Sequence, residues 1–193
     1  MYIHRTLFAL LLLLSTTFYS CKKDNEEPEN GDFSSEVVYL KVGHKWIYNV
    51  IGPLAPYDTY SQEFSSVSKG IFTVSNQYDN ETPFTNKAYY ENGYLNNMGT
   101  AAAKAPNQQF LKYKDVHLGD TWTRVTPTET YYYKVVGLNE TVTVPAGTFI
   151  CKKIEITFKN ASNTQYSYFS DTSGLIMVDN EELFNLELKS KNF

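Results

Sequence analysis

Along most of the chain apolar and polar residues alternate with a period of two. Lys153-Ile154-Glu155-Ile156-Thr157-Phe158, Phe184-Asn185-Leu186-Glu187-Leu188-Lys189 and Thr141-Val142-Thr143-Val144 all follow it. Antiparallel strands that bury one face and wet the other read in this way. Further runs rich in β-branched and aromatic residues fall at 37–40, 46–51, 71–74, 110–113, 131–136 and 166–169, a composition that suits a pleated surface. Between them stand turn residues. Asn92-Gly93 separates Tyr89-Tyr90 from Tyr94-Leu95 as a hairpin would. Val144-Pro145-Ala146-Gly147 and Asp171-Thr172-Ser173-Gly174 carry Pro or Asp early and Gly fourth, which predicts tight turns with a left-handed fourth residue. The one helix-like stretch, Thr100-Ala101-Ala102-Ala103-Lys104-Ala105, is cut by Pro106 and is too short to stand alone. The expectation is an all-β domain over 36–193: a single antiparallel sheet domain, as a curved sheet, barrel or sandwich, of about nine to eleven strands.

The first thirty-five residues break the pattern. His4 and Arg5 precede an unbroken apolar run from Leu7 to Leu14, the length of a secretory signal core and well short of the ~20 residues a spanning helix needs. Residues 1–20 are therefore expected to be a signal peptide. It ends at Ser20-Cys21, which resembles a bacterial lipobox, where a small residue precedes a cysteine that becomes the diacylated N-terminus. Phe18 and Tyr19 depart from the aliphatic and small residues usual upstream. From Cys21 through Asp32 no large apolar residue occurs, so 21–35 should be a solvated acidic tether. The order Cys21-Lys22-Lys23-Asp24-Asn25-Glu26-Glu27 is similar to the surface-export signal of Bacteroidota lipoproteins; a plain spacer explains it equally well. Removal of Arg5 with the signal takes the formal net charge from −4 to −5. The expected location is a bacterial cell envelope, at the outer membrane, held by lipid on Cys21. That anchor makes the membrane the first expected partner.

Chemistry is sparse in the remainder. The acidic balance and the lack of a basic stripe argue against nucleic acid. His44 and His117 each lie beside a Gly-x-x-Trp turn, but no metal-ligand spacing accompanies them, so no metal or other cofactor is expected. No G-x-S-x-G and no Gly-rich phosphate loop occurs, and no catalytic residue is assigned. Cys151 stands on an expected strand with no second thiol once Cys21 carries lipid; a buried, inert core cysteine is the favoured reading. Fourteen tyrosines follow residue 21. In Tyr131-Tyr132-Tyr133 the outer two should face one side and Tyr132 the other.

Val42-Gly43-His44-Lys45-Trp46 and Leu118-Gly119-Asp120-Thr121-Trp122 share aliphatic-Gly-x-x-Trp. The strands after them do not match. A Gly turn delivering Trp to the core, arrived at twice, is therefore preferred over a duplicated half. Three segments carry a family resemblance. Tyr39-Leu40-Lys41-Val42-Gly43-His44-Lys45-Trp46-Ile47-Tyr48 is similar to the Gly-x-x-Trp-x-Tyr opening of small Bacteroidota-type envelope lipoproteins. Val142-Thr143-Val144-Pro145-Ala146-Gly147-Thr148-Phe149 matches their Val-Pro-Ala-Gly-Thr-Phe hairpin, and Tyr168-Phe169-Ser170-Asp171-Thr172-Ser173-Gly174-Leu175 resembles their last turn. The resemblance implies an antiparallel β fold and an envelope location, with no activity and no catalytic residue. The function expected is therefore non-catalytic: a binding or interaction module for a glycan or protein. The alternative is a carrier of an apolar ligand in a lipocalin-like or half-barrel fold. Gly43-x-x-Trp46 is one residue longer than the lipocalin Gly-x-Trp, which counts against a true lipocalin.

Overall fold

The alternating segments become twelve antiparallel strands in one sheet, seen in a computed structural model that describes residues 37–101, 103–180 and 183–193. In chain order they are β1 (Lys45–Ile51), β2 (Thr59–Ser68), β3 (Ile71–Tyr78), β4 (Phe84–Glu91), β5 (Tyr94–Gly99), β6 (Gln109–Lys112), β7 (Thr121–Val125), β8 (Thr130–Val144), β9 (Gly147–Phe158), β10 (Thr164–Ser170), β11 (Gly174–Asp179) and β12 (Asn185–Lys191). Every pair within β1–β6 and within β7–β12 is sequential, and β1 pairs with β12. The sheet is thus an up-and-down meander that nearly closes into a barrel, with β6 and β7 at the seam. Side chains and one backbone bond draw the seam together. Val125 N–H donates to Asn107 O at 2.9 Å, Lys112 Nζ meets Asp120 Oδ2 at 2.7 Å, and the Tyr94 and Trp122 rings meet edge-on. Closure of this kind leaves little exposed strand edge.

The barrel has two ends, because strands of a meander alternate in direction. The turns before β1 and β7, the β8–β9 turn and the β10–β11 turn lie at one end, with the C-terminus. The β1–β2, β3–β4 and β11–β12 connections lie at the other. The first end is filled. Val37, Tyr39 and Leu40 are buried there in a turn rather than a strand, with Leu40 N–H bonded to Val37 O at 3.0 Å. Run 37–40 has strand composition but reaches no free sheet edge, so burial alone uses its apolar side chains. The tip of the β8–β9 hairpin also docks there, Ala146 N–H donating to Leu188 O at 3.0 Å.

The two Gly-x-x-Trp segments fold alike. His44 N–H bonds back to Lys41 O and Asp120 N–H to His117 O, both at 3.1 Å, and Gly43 and Gly119 both sit at φ +88. These are type II turns, whose third position favours glycine. In each, the glycine N–H also donates to the neighbouring strand, Gly43 to Phe64 O and Gly119 to Val135 O. Each turn opens a six-strand half and sends its Trp inward. The resemblance that the flanking strands hide is therefore shared backbone geometry.

Twelve strands exceed the expected nine to eleven because β2 and β11 carry no recognisable alternation. Conversely, 131–136 and 141–144 are one strand. β8 stays paired with β9 across register shifts on both sides of Gly137. Across the two shifts the parity of the residues facing the core changes once, from Tyr133, Val135 and Gly137 to Val142 and Val144. Asn92 and Gly93 both adopt positive φ between β4 and β5, the hairpin turn that the dipeptide predicts. The Asp171 turn runs one residue earlier than expected: Ser173 N–H bonds Ser170 O, and Gly174 follows at φ +76. No helix forms among the described residues, 100–101 and 103–105 included. The expected signal segment, the tether and Cys21 lie outside the described residues.

Candidate functional site

The inward faces do not fill the barrel. Between them lies a cavity of about 420 Å³, lined by nineteen residues of which ten are aromatic. Its walls follow from the strand period: Trp46, Tyr48 and Val50 alternate inward on β1, and Tyr60, Gln62 and Phe64 do so on β2. Leu95 and Phe110 close one side, Phe169, Leu175 and Leu186 the other. Tyr39 and Trp46 lie toward the filled end and form the floor. Pro56, Tyr57, Tyr78 and Phe184 sit where the opposite connections meet and form the mouth.

The floor is rigid. Trp46 is 2% exposed, donates its Nε1–H to Ser173 O at 2.7 Å, and meets Tyr39, Phe64 and Phe193 edge-on. Tyr48 donates its hydroxyl to Leu175 O at 3.1 Å. From Tyr48 a file of rings climbs to the rim: Tyr60 stacks at 5.8 Å, Tyr78 at 5.0 Å from Tyr60, then Tyr57 at 4.7 Å and the exposed Phe84 at 6.0 Å from Tyr78. One polar cluster interrupts the aromatic wall. Tyr60 O–H donates to Asn76 Oδ1 at 2.5 Å, and Gln62 Nε2 reaches the same oxygen at 3.3 Å. Asn76 is 1% exposed and spends its amide on Val74 O. Burial pushes the phenols of Tyr39, Tyr48 and Tyr60 well above their ordinary value, so they stay neutral donors.

The residues singled out in the sequence divide sharply. Trp46 and Tyr48 share one face and line the cavity. Tyr131 and Tyr133 turn inward on the other half of the barrel, where Tyr133 stacks on Trp122 at 5.0 Å, while Tyr132 faces solvent. Burial lifts the Tyr133 phenol to about 12, against the pull of the Arg124 guanidinium. Cys151 is 1% exposed, and burial with the charge of Asp171 pushes its thiol up to about 11. A thiol so placed is not poised as a nucleophile. His44 stacks on Phe193 at 4.0 Å with Nδ1 3.1 Å from Tyr39 O, and burial lowers its pKa. His117 is exposed beside Asp120, whose carboxylate is taken by Lys112 and by the His117 backbone N–H. Among the described residues the two histidines share no partner. Among the described residues no three His, Cys, Asp or Glu side chains come together as metal ligands would.

The sequence missed the cavity wall on β2. Tyr60, Gln62 and Phe64 belong to no motif; only a period-two reading of Tyr60-Ser61-Gln62-Glu63-Phe64 that accepted Gln as inward could have placed them.

No protein-family model matches the chain, and no curated protein matches it. Among solved structures, the fold is similar to that of a Bacteroides fragilis protein inferred to be exported, with a YmcC-like fold. The TM-score is 0.52 at 12% identity, over 79% of this chain and 97% of the other.

Proposed function

We propose that this chain is a lipid-anchored protein of the bacterial envelope that holds a small apolar or amphipathic molecule inside its barrel, without catalysis. The observation that carries the reading is the cavity itself. An interaction module needs only a filled core, whereas a carrier needs an enclosed apolar space of several hundred Å³. The space of about 420 Å³ is walled mainly by aromatic and aliphatic side chains, with Gln62, Asn86 and Asn97 as its few amides, and a mostly apolar cavity with a small number of polar groups suits an apolar or amphipathic guest. The alternative expectation thus gains over the surface module for glycans or proteins. The file of rings from Tyr48 to Phe84 provides a continuous apolar route from the floor to the rim.

The envelope location and anchor rest on the signal-like start, on Cys21 in its lipobox-like context, and on the fold shared with a protein inferred to be exported. Cys21→Ser is expected to abolish acyl labelling in cells; labelling that survives the substitution contradicts the anchor. The cavity reading is tested by native mass spectrometry of the chain exported with Cys21→Ser, so that its own acyl groups add no mass. A reproducible adduct that leaves on denaturation is expected.

A further inference from the structure

The described chain contains one arginine, Arg124, and the fold turns it inward at the mouth end of the barrel. Its position follows from the paired Gly-x-x-Trp turns. Two residues after Trp46 on β1, Tyr48 points into the interior; two residues after Trp122 on β7, Arg124 occupies the equivalent place. The guanidinium lies over the Tyr131 ring at 5.4 Å and over the Phe110 ring at 6.0 Å. Phe110 is itself a wall of the cavity; Arg124 is not among the lining residues and is linked to the space through that ring.

Arg124 makes no ion pair with a carboxylate among the described residues, and its Nε is shut off from solvent with no acceptor. Glu129, close in sequence, is committed to the backbone N–H groups of Thr130 and Lys159 at 2.7 and 3.1 Å. The Trp122 Nε1–H beside it also lacks an acceptor. An arginine stays charged at any working pH, and its planar fork suits a carboxylate or phosphate. The guanidinium hydrogen-bonds the Tyr133 hydroxyl, but a half-buried cation with no carboxylate partner, beside a wall of an apolar pocket, is still an incomplete pair.

We propose that Arg124 binds the head group of the guest, and that the cavity takes an anionic amphiphile: an alkyl chain in the aromatic space with its carboxylate or phosphate at the guanidinium. This rests on the cavity being a ligand site. The test uses the full chain with Cys21→Ser, stripped of bound material, and follows displacement of the fluorescent probe N-phenyl-1-naphthylamine by laurate, by dodecanol of the same chain length, and by acetate. Laurate should compete about tenfold or more better than dodecanol, and acetate hardly at all. Arg124→Gln should weaken laurate by about 10- to 100-fold, the range for a hydrogen bond to a charged group, and leave dodecanol unchanged. Arg124→Lys, which keeps the charge and guards against a folding defect, should retain part of the preference. Equal affinity of alcohol and acid in the unsubstituted chain, or laurate binding indifferent to Arg124→Gln, overturns the head-group site while leaving the cavity reading intact. Acetate competing as well as laurate overturns the amphiphile in favour of a free-anion site. Failure of both twelve-carbon chains to displace the probe removes the cavity reading, and this proposal with it.

Discussion

Trp46→Ala is expected to cost the fold about 3–5 kcal/mol, the range for removing a buried large aromatic. Three terms act together at this position. The indole fills the floor between Tyr39, Phe64 and Phe193, so its loss enlarges an existing cavity rather than letting neighbours collapse. Its Nε1–H also satisfies Ser173 O, which is left without that donor. Ser173 belongs to the β10–β11 turn, so β1 and that turn lose their direct tie as well. Trp122 supplies the contrast. It stacks face to face on Tyr133, where Trp46 meets its neighbours edge-on, and its Nε1–H has no acceptor. Trp122→Phe keeps a ring and removes the orphaned donor, so it should change stability by less than about 1 kcal/mol. Chemical denaturation of both variants checks the pair. An unaltered Trp46→Ala midpoint would mean that the indole is not part of the core.

A second large effect concerns pH. Tyr39, Tyr48 and Tyr133 are at most 4% exposed, and burial raises all three phenols above their ordinary value of 10.0. Below that value folded and unfolded chains are both protonated and stability is flat. Above it the unfolded chain loses protons that the folded chain keeps, so stability falls as pH rises. Each such group costs about 1.4 kcal/mol per pH unit. The three together cost about 4 kcal/mol per unit, until Tyr133 begins to ionise in the fold near its value of about 12. A single domain holds only about 5–15 kcal/mol in all. The lower end of that range is spent a little above pH 11, so the protein is expected to unfold cooperatively at some point above about pH 11, with phenolate absorbance rising in the same transition. Smooth ionisation of every tyrosine near the ordinary value, with the melting temperature unchanged, would contradict this burial.

The fold was more legible than the site, for a physical reason. On β1, β9 and β12 apolar residues recur at every second position, so the strands announce themselves. β2 walls the same cavity as β1 but sets Gln62 between Tyr60 and Phe64, where the amide reaches the buried Asn76. Its alternation is therefore Tyr60, Gln62, Phe64, which reads as polar sequence. Run 37–40 shows the opposite error: Val37, Tyr39 and Leu40 have strand composition, yet they serve as a buried plug. Composition reports burial, and burial does not fix the backbone. The bulges about Gly137 likewise hid the continuity of β8 by changing which residues face inward partway along. Trp46 and Tyr48 were found because one strand face carries both. Arg124 could have been noticed as the one arginine after Arg5, but its meaning depends on Phe110, Tyr131 and an absent carboxylate, none of which is near it in pattern.

If the barrel interior is a binding space, the mass of the folded protein must show its guest. Native mass spectrometry of the chain exported with Cys21→Ser from a bacterial envelope should show the polypeptide plus one reproducible mass of lipid size. That mass should be absent after denaturation. A bare polypeptide mass that also stays bare after incubation with an apolar guest would contradict the account and return the protein to the class of surface interaction modules.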